Sequence, residues 1–438
     1  MKANKLKYFI LFVLLSTTTF STNCLGKDQF ELNLKDKSTI VNPSHLDHLY
    51  EEINVNEKQM AIIHIYCDYP DYNWVEAKGE GITCIDDVAR AVIFYANYYK
   101  TTNNKTYLRK ARLLTEFVLY MQAENGYFYN FIESDYSINK TYKTSVAEPN
   151  WWSWRALWAL SETYKLFSRN DAFFSNRIFQ SMSKLFSVLK KNLPLKKNIK
   201  NIGGFERPAW LPAETGADQS AILVLALVNY LEIKKDLMLF AYLKDLCDGI
   251  IRMQEGDKDN FPYSAFMSWE NLWHAYGNVQ SYALLKAYLT THEEKYKSAV
   301  LNEINNFYPY LINKNYLNYF SIKKDSGKNI IDEQKRFSQI AYGISPMIFA
   351  TLEAAEITKD KSYSELAGKI SLWFFGKNLT GKEIYNLKTG ICYDGINNEQ
   401  ELNKNSGAES TIETLLSLSA IEQNKTALSI LKRFMEDK

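Results

Sequence analysis

Acidic side chains stand near the start of several predicted helices in this 438-residue chain. Two carboxyl groups held close together can perform acid–base catalysis, because one donates a proton while the other, ionised, accepts one. The surroundings of each group decide which role it takes. The candidate acids are Asp86, Asp87, Glu148, Glu206, Glu214, Asp218, Asp394 and Glu409. We therefore expect acid–base chemistry where the fold brings two of them together.

Asp87 and Glu148 form the pair that we favour. Asp87 lies about 100° round a helix from Asp86, so one aspartate can face a cavity while the other serves the helix start. Glu148 precedes Pro149, which predicts an extended backbone, and neighbouring indoles would favour its protonated form. A structural role stays open for each acid, as an ion-pair partner of Arg90 for Asp87 and as a loop-locking contact for Glu148.

Three of the acids also fit a structural role at helix N-termini. A hydroxyl residue followed three positions later by an acid has the spacing of a capping box, and negative charge there complements the helix dipole. The pairs are Thr83 with Asp86, Thr215 with Asp218 and Ser406 with Glu409. This interpretation explains these acids without any chemistry.

Glu214 and Asp218 are the next catalytic candidates. Glu214 ends a Pro-containing loop that leads into a predicted helix, and a solvated first-turn acid is its structural alternative. Glu206 is weaker, because Arg207 beside it is a ready partner.

Neutral and aromatic side chains at the same helix starts suit substrate positioning. Aromatic residues make up 14% of the chain, and flat aromatic faces beside amides and carboxylates suit sugar rings, which are apolar on their C–H faces. A buried hydrogen-bonded histidine is the structural alternative for His274, and some of the tryptophans must pack inward. The candidates for substrate binding are Trp151, Trp152, Trp210, Trp273, His274, Tyr276, Asn278, Gln339, Tyr342 and Glu409.

The elements that must position these residues are six helical hairpins. Polar, aromatic or acidic clusters mark the start of each hairpin. They lie near Asp86, Asn150, Asp218, Asn271, Gln339 and Gly407, at separations of 64, 68, 53, 68 and 68 residues. Amphipathic runs pair as 85–101 with 104–122, 150–168 with 171–192, 216–233 with 236–253, 270–289 with 293–312, 339–357 with 361–376, and 407–421 with 424–436. Turns within the pairs are short, whereas the links between pairs are long.

The first helix of each pair is the more apolar one, as in residues 221–228, which predicts an inner ring of first helices within an outer ring of second helices. Six such pairs predict an all-α, closed (α/α)6 toroid with the long loops at one rim. The open alternative is a solenoid, but tetratricopeptide and ankyrin repeats have periods of about 33–34 residues, half of what is seen here. Armadillo-like repeats are nearer in length and do not need long loops on one side.

The domain organisation follows from these elements. Residues 1–24 carry a basic start, a short apolar run and small residues, which predicts a secretory signal peptide. Residues 25–84 form an N-terminal lead-in and residues 85–438 the toroid. We expect an exported protein, periplasmic or secreted, without a membrane span. A lipid anchor at Cys24 is the weaker alternative, because Thr22 and Asn23 before it make a poor lipobox.

Composition excludes several other classes of function. A net charge of +2 gives no reason to expect nucleic acid or an anionic membrane as partner. Five cysteines form no disulfide framework, although export would allow Cys67 and Cys84 to pair. No zinc motif and no Gly-rich phosphate loop occurs, so we expect neither a metal nor a cofactor, with oxygen-ligated calcium left open.

Residues 85–438 resemble the six-hairpin (α/α)6 glycosidase superfamily. The resemblance rests on the hairpins and on the segments 85–91 (IDDVARA), 148–152 (EPNWW) and 407–411 (GAEST). The adjacent Asp86 and Asp87 are similar to the aspartate pair of bacterial (α/α)6 α-mannanases, whose other motifs are not evident here. The resemblance implies cleavage of a carbohydrate substrate by acid–base side chains.

Three functions remain open at this point. The first is an exported glycoside hydrolase acting on an oligo- or polysaccharide, with inversion, which the distance between the carboxyl groups would decide. The second is a polysaccharide lyase that uses His274, Tyr276, Arg207 and Asn278. The third is a periplasmic carbohydrate-binding protein without a functional carboxyl pair.

Overall fold

A computed structural model describes residues 39–194 and 196–438. The predicted signal peptide and Cys24 lie outside the described residues. The helices within them are α1 Ser44–Leu49, α2 Ile85–Thr102, α3 Lys105–Tyr120, α4 Trp151–Ser168, α5 Ala172–Lys191, α6 Ala217–Ile233, α7 Leu237–Arg252, α8 Gln280–Thr291, α9 Glu294–Asn302, α10 Tyr308–Asn313, α11 Ser345–Thr358, α12 Lys361–Ser371, α13 Ala408–Gln423 and α14 Lys425–Glu436. A π-helical segment, Glu303–Phe307, joins α9 to α10, and short 3-10 helices span Ala341–Gly343 and Leu372–Phe374.

Six of these helices form a closed inner ring. Helix α2 contacts α4, α4 contacts α6, α6 contacts α8, α8 contacts α11, α11 contacts α13, and α13 contacts α2 again. The last contact closes the ring, so the open solenoid alternative is wrong and the predicted (α/α)6 toroid is confirmed. Helices that are apolar on nearly every side belong in such a position, and residues 221–227 of α6 are all fully buried or nearly so.

The second helix of each hairpin packs outside the ring. Helices α3, α5, α7, α9, α12 and α14 each contact the inner helix that precedes them. Five of these outer helices begin at an Asn or Asp whose side chain accepts a backbone N–H, and these caps are Asn104, Asp171, Asp236, Asp360 and Asn424. Such caps satisfy N–H groups that a helix start leaves unpaired. The short polar turns therefore fix both the reversal of the chain and the outer helix.

Strands occupy the lead-in and the long inter-hairpin links. They are β1 Tyr50–Val55, β2 Lys58–Ile63, β3 Tyr66–Asp68, β4 Asn73–Val75, β5 Thr83–Cys84, β6 Phe131–Ile132, β7 Ile199–Ile202, β8 Phe205–Pro208, β9 Gln254–Glu255, β10 Ala265–Phe266, β11 Leu272–His274, β12 Tyr319–Asp325, β13 Lys328–Lys335, β14 Gly395–Ile396 and β15 Leu402–Asn403. All pairings among them are antiparallel: β1–β2, β3–β4, β5–β6, β7–β8, β9–β10, β11–β12–β13 and β14–β15. In the lead-in, β2 packs on α3 and α1 packs on α13.

Two of the predicted helix starts are wrong. The fourth inner helix starts at residue 280 instead of 270, because residues 272–274 form β11 and pair with β12, which follows 45 residues later in the chain. The fifth starts at Ser345 instead of residue 339, and Pro346 lies in its first turn, where proline is favoured. Trp273, His274, Tyr276, Asn278 and Gln339 therefore lie in a strand or in loops before these helices.

The described cysteines are all buried and free. Cys67 and Cys84, which export would allow to pair, are therefore not linked. Sγ of Cys67 donates to the carbonyl oxygen of Tyr72 at 2.7 Å, and Sγ of Cys84 donates to Oδ2 of Asp87 at 3.2 Å. Each thiol thus has a different partner.

None of the helices in the described part of the chain combines the length and the apolarity that crossing a bilayer requires.

Candidate active site

The N-terminal turns of the inner helices meet at the loop-bearing rim. Side-chain contacts join them one after another around the ring: Asp86 with Arg155 between α2 and α4, Trp154 with Gln219 between α4 and α6, Ser345 with Glu413 between α11 and α13, and Glu409 with Arg90 between α13 and α2. Between α6 and α8, Asp218 contacts His274 of β11. We call the surface that these turns form the crater.

The three predicted capping boxes are wrong. Helices α2, α6 and α13 begin after Cys84, Gly216 and Gly407, and none of these three N-cap residues forms a side-chain cap. Backbone carbonyls of neighbouring loops take their free N–H groups instead: Asn130 for Ile85, Ser268 for Ala217 and Asp218, and Ile65 for Ala408. The acids in these first turns are therefore available for other contacts.

Arg90 is the centre of the first cluster in the crater. Its buried guanidinium lies 2.8 Å from Oδ1 of Asp87, 3.1 Å from Oε2 of Glu409 and 3.0 Å from Oε1 of Glu413. The other oxygen of Glu413 accepts from the hydroxyl of Ser345 at 2.6 Å. One cation thus holds acids from α2 and α13 in fixed positions.

Arg155 is a second buried cation beside the first. Its Nε donates to Oδ1 of Asp86 at 2.6 Å, and its Nη2 donates to the Tyr342 hydroxyl at 2.5 Å. The guanidinium of Arg90 lies 4.5 Å from the centre of the Tyr342 ring, within the range of a cation–π contact. Gly277 has a φ of +64°, and a Cβ atom there would lie 2.7 Å from the Tyr342 hydroxyl. Only glycine therefore fits at this position of the loop before α8.

Four carboxyl groups surround these two arginines: Asp86, Asp87, Glu409 and Glu413. Withdrawal from water raises the pKa of Glu409 to about 7, with Asp87 and Glu413 adding to the rise and Arg90 opposing it. Its side chain is still 40% exposed, so a ligand in the crater can reach it. Glu409 is therefore an accessible carboxyl group whose pKa lies above the ordinary value for a glutamate.

Other acids near this cluster also hold protons more firmly than usual. Burial raises the pKa of Asp87, and it raises the pKa of Glu80, to which the Tyr66 hydroxyl donates at 2.6 Å. Burial raises the pKa of Asp394 to about 6, although its Oδ1 accepts the N–H of Gly407 at 2.8 Å. Asp87 is buried and paired with Arg90, which bears out the structural alternative for this residue. Asp86, by contrast, has a side chain that is 24% exposed.

A second cluster links Asp218, His274 and Tyr276. Nε2 of His274 lies 3.0 Å from Oδ2 of Asp218, and Nδ1 lies 2.7 Å from the carbonyl oxygen of Tyr276. A carbonyl oxygen only accepts, so Nδ1 is the donor in the contact with Tyr276. The imidazole stacks on the Tyr276 ring at 4.0 Å, and Asn278 lies beside its carbonyl. Both ring nitrogens are thus engaged in holding the Tyr276 loop.

Tyr276 connects the two clusters. Its side chain is half-buried, and burial raises its pKa well above the ordinary value, together with the charges of Asp218, Tyr342 and Glu409. Charged groups of both clusters thus act on Tyr276.

Two predicted catalytic acids lie apart from these clusters. Glu148 is half-buried, and its Oε1 accepts from the side-chain amide of Asn150 at 3.2 Å. Glu214 is exposed and pairs with Lys200 at 2.6 Å. Glu206 is exposed, while the buried Arg207 beside it pairs with Glu255 at 2.7 Å.

Most of the predicted binding aromatics are packed in the core. Trp152, Trp210 and Trp273 are buried, and the first two donate their indole N–H to backbone carbonyls of Val146 and Asp245. Trp151 is half-buried and lies against the Gly277 position, next to Tyr342.

Gln339 is also buried, and its amide bonds to the carbonyl of Asn315 and to the indole of Trp373. Among the predicted binding residues, Trp151, Tyr276 and Glu409 therefore have the accessible positions in the crater.

Sequence reasoning missed Arg155 and Glu413 as members of the site. Each is a charged residue near the start of an inner helix, and such residues are seldom buried unless they are paired. That signal could have identified both. No group of three or more His, Cys, Asp or Glu side chains suited to a metal ion occurs within residues 39–194 and 196–438.

No protein-family profile matches the chain, and no curated protein matches it by sequence. Solved structures do match its fold. A sugar epimerase from a ruminal bacterium has a TM-score of 0.58 at 13% identity, with 88% of this chain and 96% of that chain covered. Cellobiose 2-epimerase from Bacillus thermoamylovorans has a TM-score of 0.57 at 12% identity, with coverages of 85% and 94%.

A third similar structure is an α-1,6-mannanase of a Salegentibacter species, in complex with α-1,6-mannotetrose. It is an inactive variant in which two consecutive aspartates are replaced. Its TM-score is 0.51 at 12% identity, and the alignment covers 83% of this chain and 93% of that chain. The expected resemblance is confirmed for the fold: this chain is a six-hairpin (α/α)6 toroid like these carbohydrate-active enzymes.

Proposed function

We propose that this protein is an exported glycoside hydrolase that cleaves an oligo- or polysaccharide. One observation carries the proposal: Glu409 is an accessible carboxyl group in the crater, and its pKa is raised to about 7. A general acid must be protonated at the working pH and still be able to release its proton, and a pKa near 7 meets both needs. The shared toroid fold supports a carbohydrate as the substrate.

Glu409 serves as the acid and Asp86 as the base in this proposal. Glu409 donates its proton to the glycosidic oxygen as the bond to the anomeric carbon breaks. Asp86, held by Arg155, takes a proton from a water molecule whose oxygen attacks the anomeric carbon. The products are a reducing-end sugar and an alcohol, and one water is consumed. Arg90 and Arg155 keep the two acids in place.

Inversion of configuration is part of the proposal. Asp86 and Glu409 lie in the first turns of α2 and α13, which are neighbours in the ring. Carboxyl groups on neighbouring helices can leave room between them for a water molecule. Inversion requires a carboxyl separation of about 6.5–9.5 Å, in contrast with about 5–5.5 Å for retention.

The roles that we first gave to Asp87 and Glu148 change in this proposal. Asp87 is buried and orients Arg90, and Glu148 fixes the loop before α4 through Asn150. Trp151 and Tyr276 offer partly exposed rings for the sugar. Asp218 and His274 act through Tyr276, and Glu214 has no role in the reaction.

Sugar epimerisation is a second candidate, because two of the similar structures are sugar epimerases. It needs a base that reaches a carbon-bound proton. His274 is the histidine in the crater, but both of its ring nitrogens are already hydrogen-bonded. The same contacts weaken a lyase with His274 as base, and Arg207, which would neutralise a substrate carboxylate, is buried with Glu255.

The test is a digestion of a glycan panel in ¹⁸O-labelled water, read by mass spectrometry. Hydrolysis predicts products that carry one added water with the label on the new reducing end. Elimination would give a product lighter by one water, with ultraviolet absorbance. Epimerisation would leave the mass unchanged while moving the retention time. Binding without any change in mass would favour a carbohydrate-binding protein. Proton NMR of the first product then identifies its anomeric configuration, which we expect to be inverted relative to the substrate.

A further inference from the structure

A continuous row of aromatic rings runs along one side of the lead-in. His64 stacks on Trp74 at 3.7 Å, Trp74 lies 5.8 Å from His48, and His48 lies 5.7 Å from His45. The row continues from His45 to Tyr72 at 5.5 Å and from Tyr72 to Tyr69 at 6.1 Å. We call these six rings the aromatic strip. None of the site residues described above belongs to it.

Contacts within the protein hold the Trp74 ring and the Tyr69 backbone in place. Trp74 is 43% exposed, yet its indole N–H donates to the carbonyl of His48 at 3.1 Å and one of its faces is covered by His64. His64 in turn is held by Glu51 at 2.8 Å. Tyr69 is 48% exposed, and its backbone N–H donates to Oδ1 of Asn405 at 3.1 Å. Rings that are already ordered lose little entropy when a ligand stacks on them.

One end of the strip lies near the N-terminus of α13, the helix that carries Glu409. Asn405, which contacts Tyr69, lies four residues before Glu409, so their Cα atoms are at most about 14 Å apart. Ile65, which directly precedes strand β3, supplies the carbonyl that caps α13, the helix of Glu409. Side chains that can form hydrogen bonds with sugar hydroxyls flank this end. The Asn405 amide donates to Asp68, and the Lys404 ammonium lies 5.0 Å from the centre of the Tyr69 ring.

We propose that the aromatic strip is a binding site for pyranose residues of a neutral polysaccharide whose chain continues into the crater. The exposed rings stack on the apolar faces of successive sugars, and Asp68, Lys404 and Asn405 bond their hydroxyls. The charges of Asp68 and Lys404 offset each other, which disfavours a strongly acidic polymer. This inference rests on the proposed function, because the crater supplies the second part of the bound chain.

Native affinity gels test the strip without reference to cleavage. The full chain is run through gels that contain soluble α-1,6-mannan, galactomannan, xyloglucan or laminarin at graded concentrations. Retardation by at least one polymer is expected. Tyr69→Ala and Trp74→Ala should each weaken that affinity about 3- to 10-fold, and the double variant by more. Phe173→Ala is the matched control, because Phe173 is an exposed ring on α5 outside the strip.

Trp74→Leu distinguishes the loss of the ring from a loss of folding, because leucine keeps an apolar contact with His64 but has no flat ring. It should fold as the parent does, judged by circular dichroism, and still lose affinity. The inference is overturned if no polymer retards the parent, if the double variant binds as tightly as the parent, or if Phe173→Ala weakens binding equally. The same gels run with Glu409→Gln separate the two proposals. Ring-dependent binding without any hydrolysis by the parent would contradict the proposed hydrolase activity, but it would support the aromatic strip as a binding site.

Discussion

Arg155 donates a hydrogen bond of 2.6 Å from its Nε to Oδ1 of Asp86, across the boundary between the first two inner helices. This bond holds the Asp86 carboxyl group in one orientation at the rim of the ring. Glu409, on the helix that closes the ring, pairs with Arg90, yet withdrawal from water raises its pKa to about 7. Acid–base catalysis requires one carboxyl group that donates a proton and one that accepts a proton, and these are the roles that we propose for Glu409 and Asp86.

The arginine cluster should be essential for stability. Arg90→Met leaves the buried acids Asp87 and Glu413 without their cation, which should lower the free energy of unfolding by about 3–5 kcal/mol. Arg109→Met is the matched control, because Arg109 is an exposed arginine that pairs with Glu52, and it should cost less than about 1 kcal/mol. Urea denaturation measures both. Equal effects of the two substitutions would contradict the account of the cluster.

Catalysis should have an alkaline limb set by Glu409. The proposed acid must be protonated, and its pKa is about 7, so kcat/KM should fall about tenfold per pH unit above that pH. The measurement is a profile of kcat/KM from pH 5 to pH 9. The residual activity of Glu409→Gln should lack the limb. A kcat/KM value that rises through pH 7 would show instead that an ionised group with that pKa is needed.

Stability should change with pH through Glu303, which lies outside the site. This fully buried acid accepts from the N–H of Phe266 at 2.8 Å, and burial raises its pKa to about 7. Its contribution to stability is present below about pH 4.5 and is lost as the pH rises through 7. Glu303→Gln should therefore stabilise the protein by up to about 3 kcal/mol at pH 8 and change little at pH 4. Thermal unfolding at both pH values measures this, and an equal effect at both would contradict it.

The free thiols give a simple chemical prediction. Cys67 and Cys84 are buried and hydrogen-bonded to different partners, so neither should react with N-ethylmaleimide until the protein is denatured. Peptide mapping without reductant should find both residues unlinked. A Cys67–Cys84 peptide would show that this part of the fold is misplaced.

The hairpin architecture could be predicted from sequence because its signals are local. Apolar periodicity defines each helix, and Asn104, Asp171 and Asp236 mark outer helices through caps formed within a few residues. The start of the fourth inner helix could not be predicted, because it depends on a contact that is distant in sequence. Strand β11 occupies the expected start and pairs with β12 in the next inter-hairpin link, and local periodicity carries no information about such pairing.

The site was only partly predictable for the same reason. Asp86, Tyr342 and Glu409 were identified from their places at helix starts, but the capping boxes assigned to two of these acids do not form. Loops distant in sequence cap those helices, as Asn130 does for α2 and Ile65 for α13. Which carboxyl groups are buried depends on these distant contacts. The choice of Asp86 over Asp87 therefore needed the structure.

The most direct test of the central claim compares Glu409→Gln with Asp86→Asn on two leaving groups. The substrates are the natural glycan and the matching 2,4-dinitrophenyl glycoside, whose leaving group needs no proton. Glu409→Gln should lose about 10²- to 10⁴-fold in kcat on the glycan but little on the dinitrophenyl glycoside, whereas Asp86→Asn should lose activity on both. Glu356→Gln, an exposed glutamate on α11, should match the parent. Full activity of Glu409→Gln on the natural glycan would contradict the proposed role of Glu409.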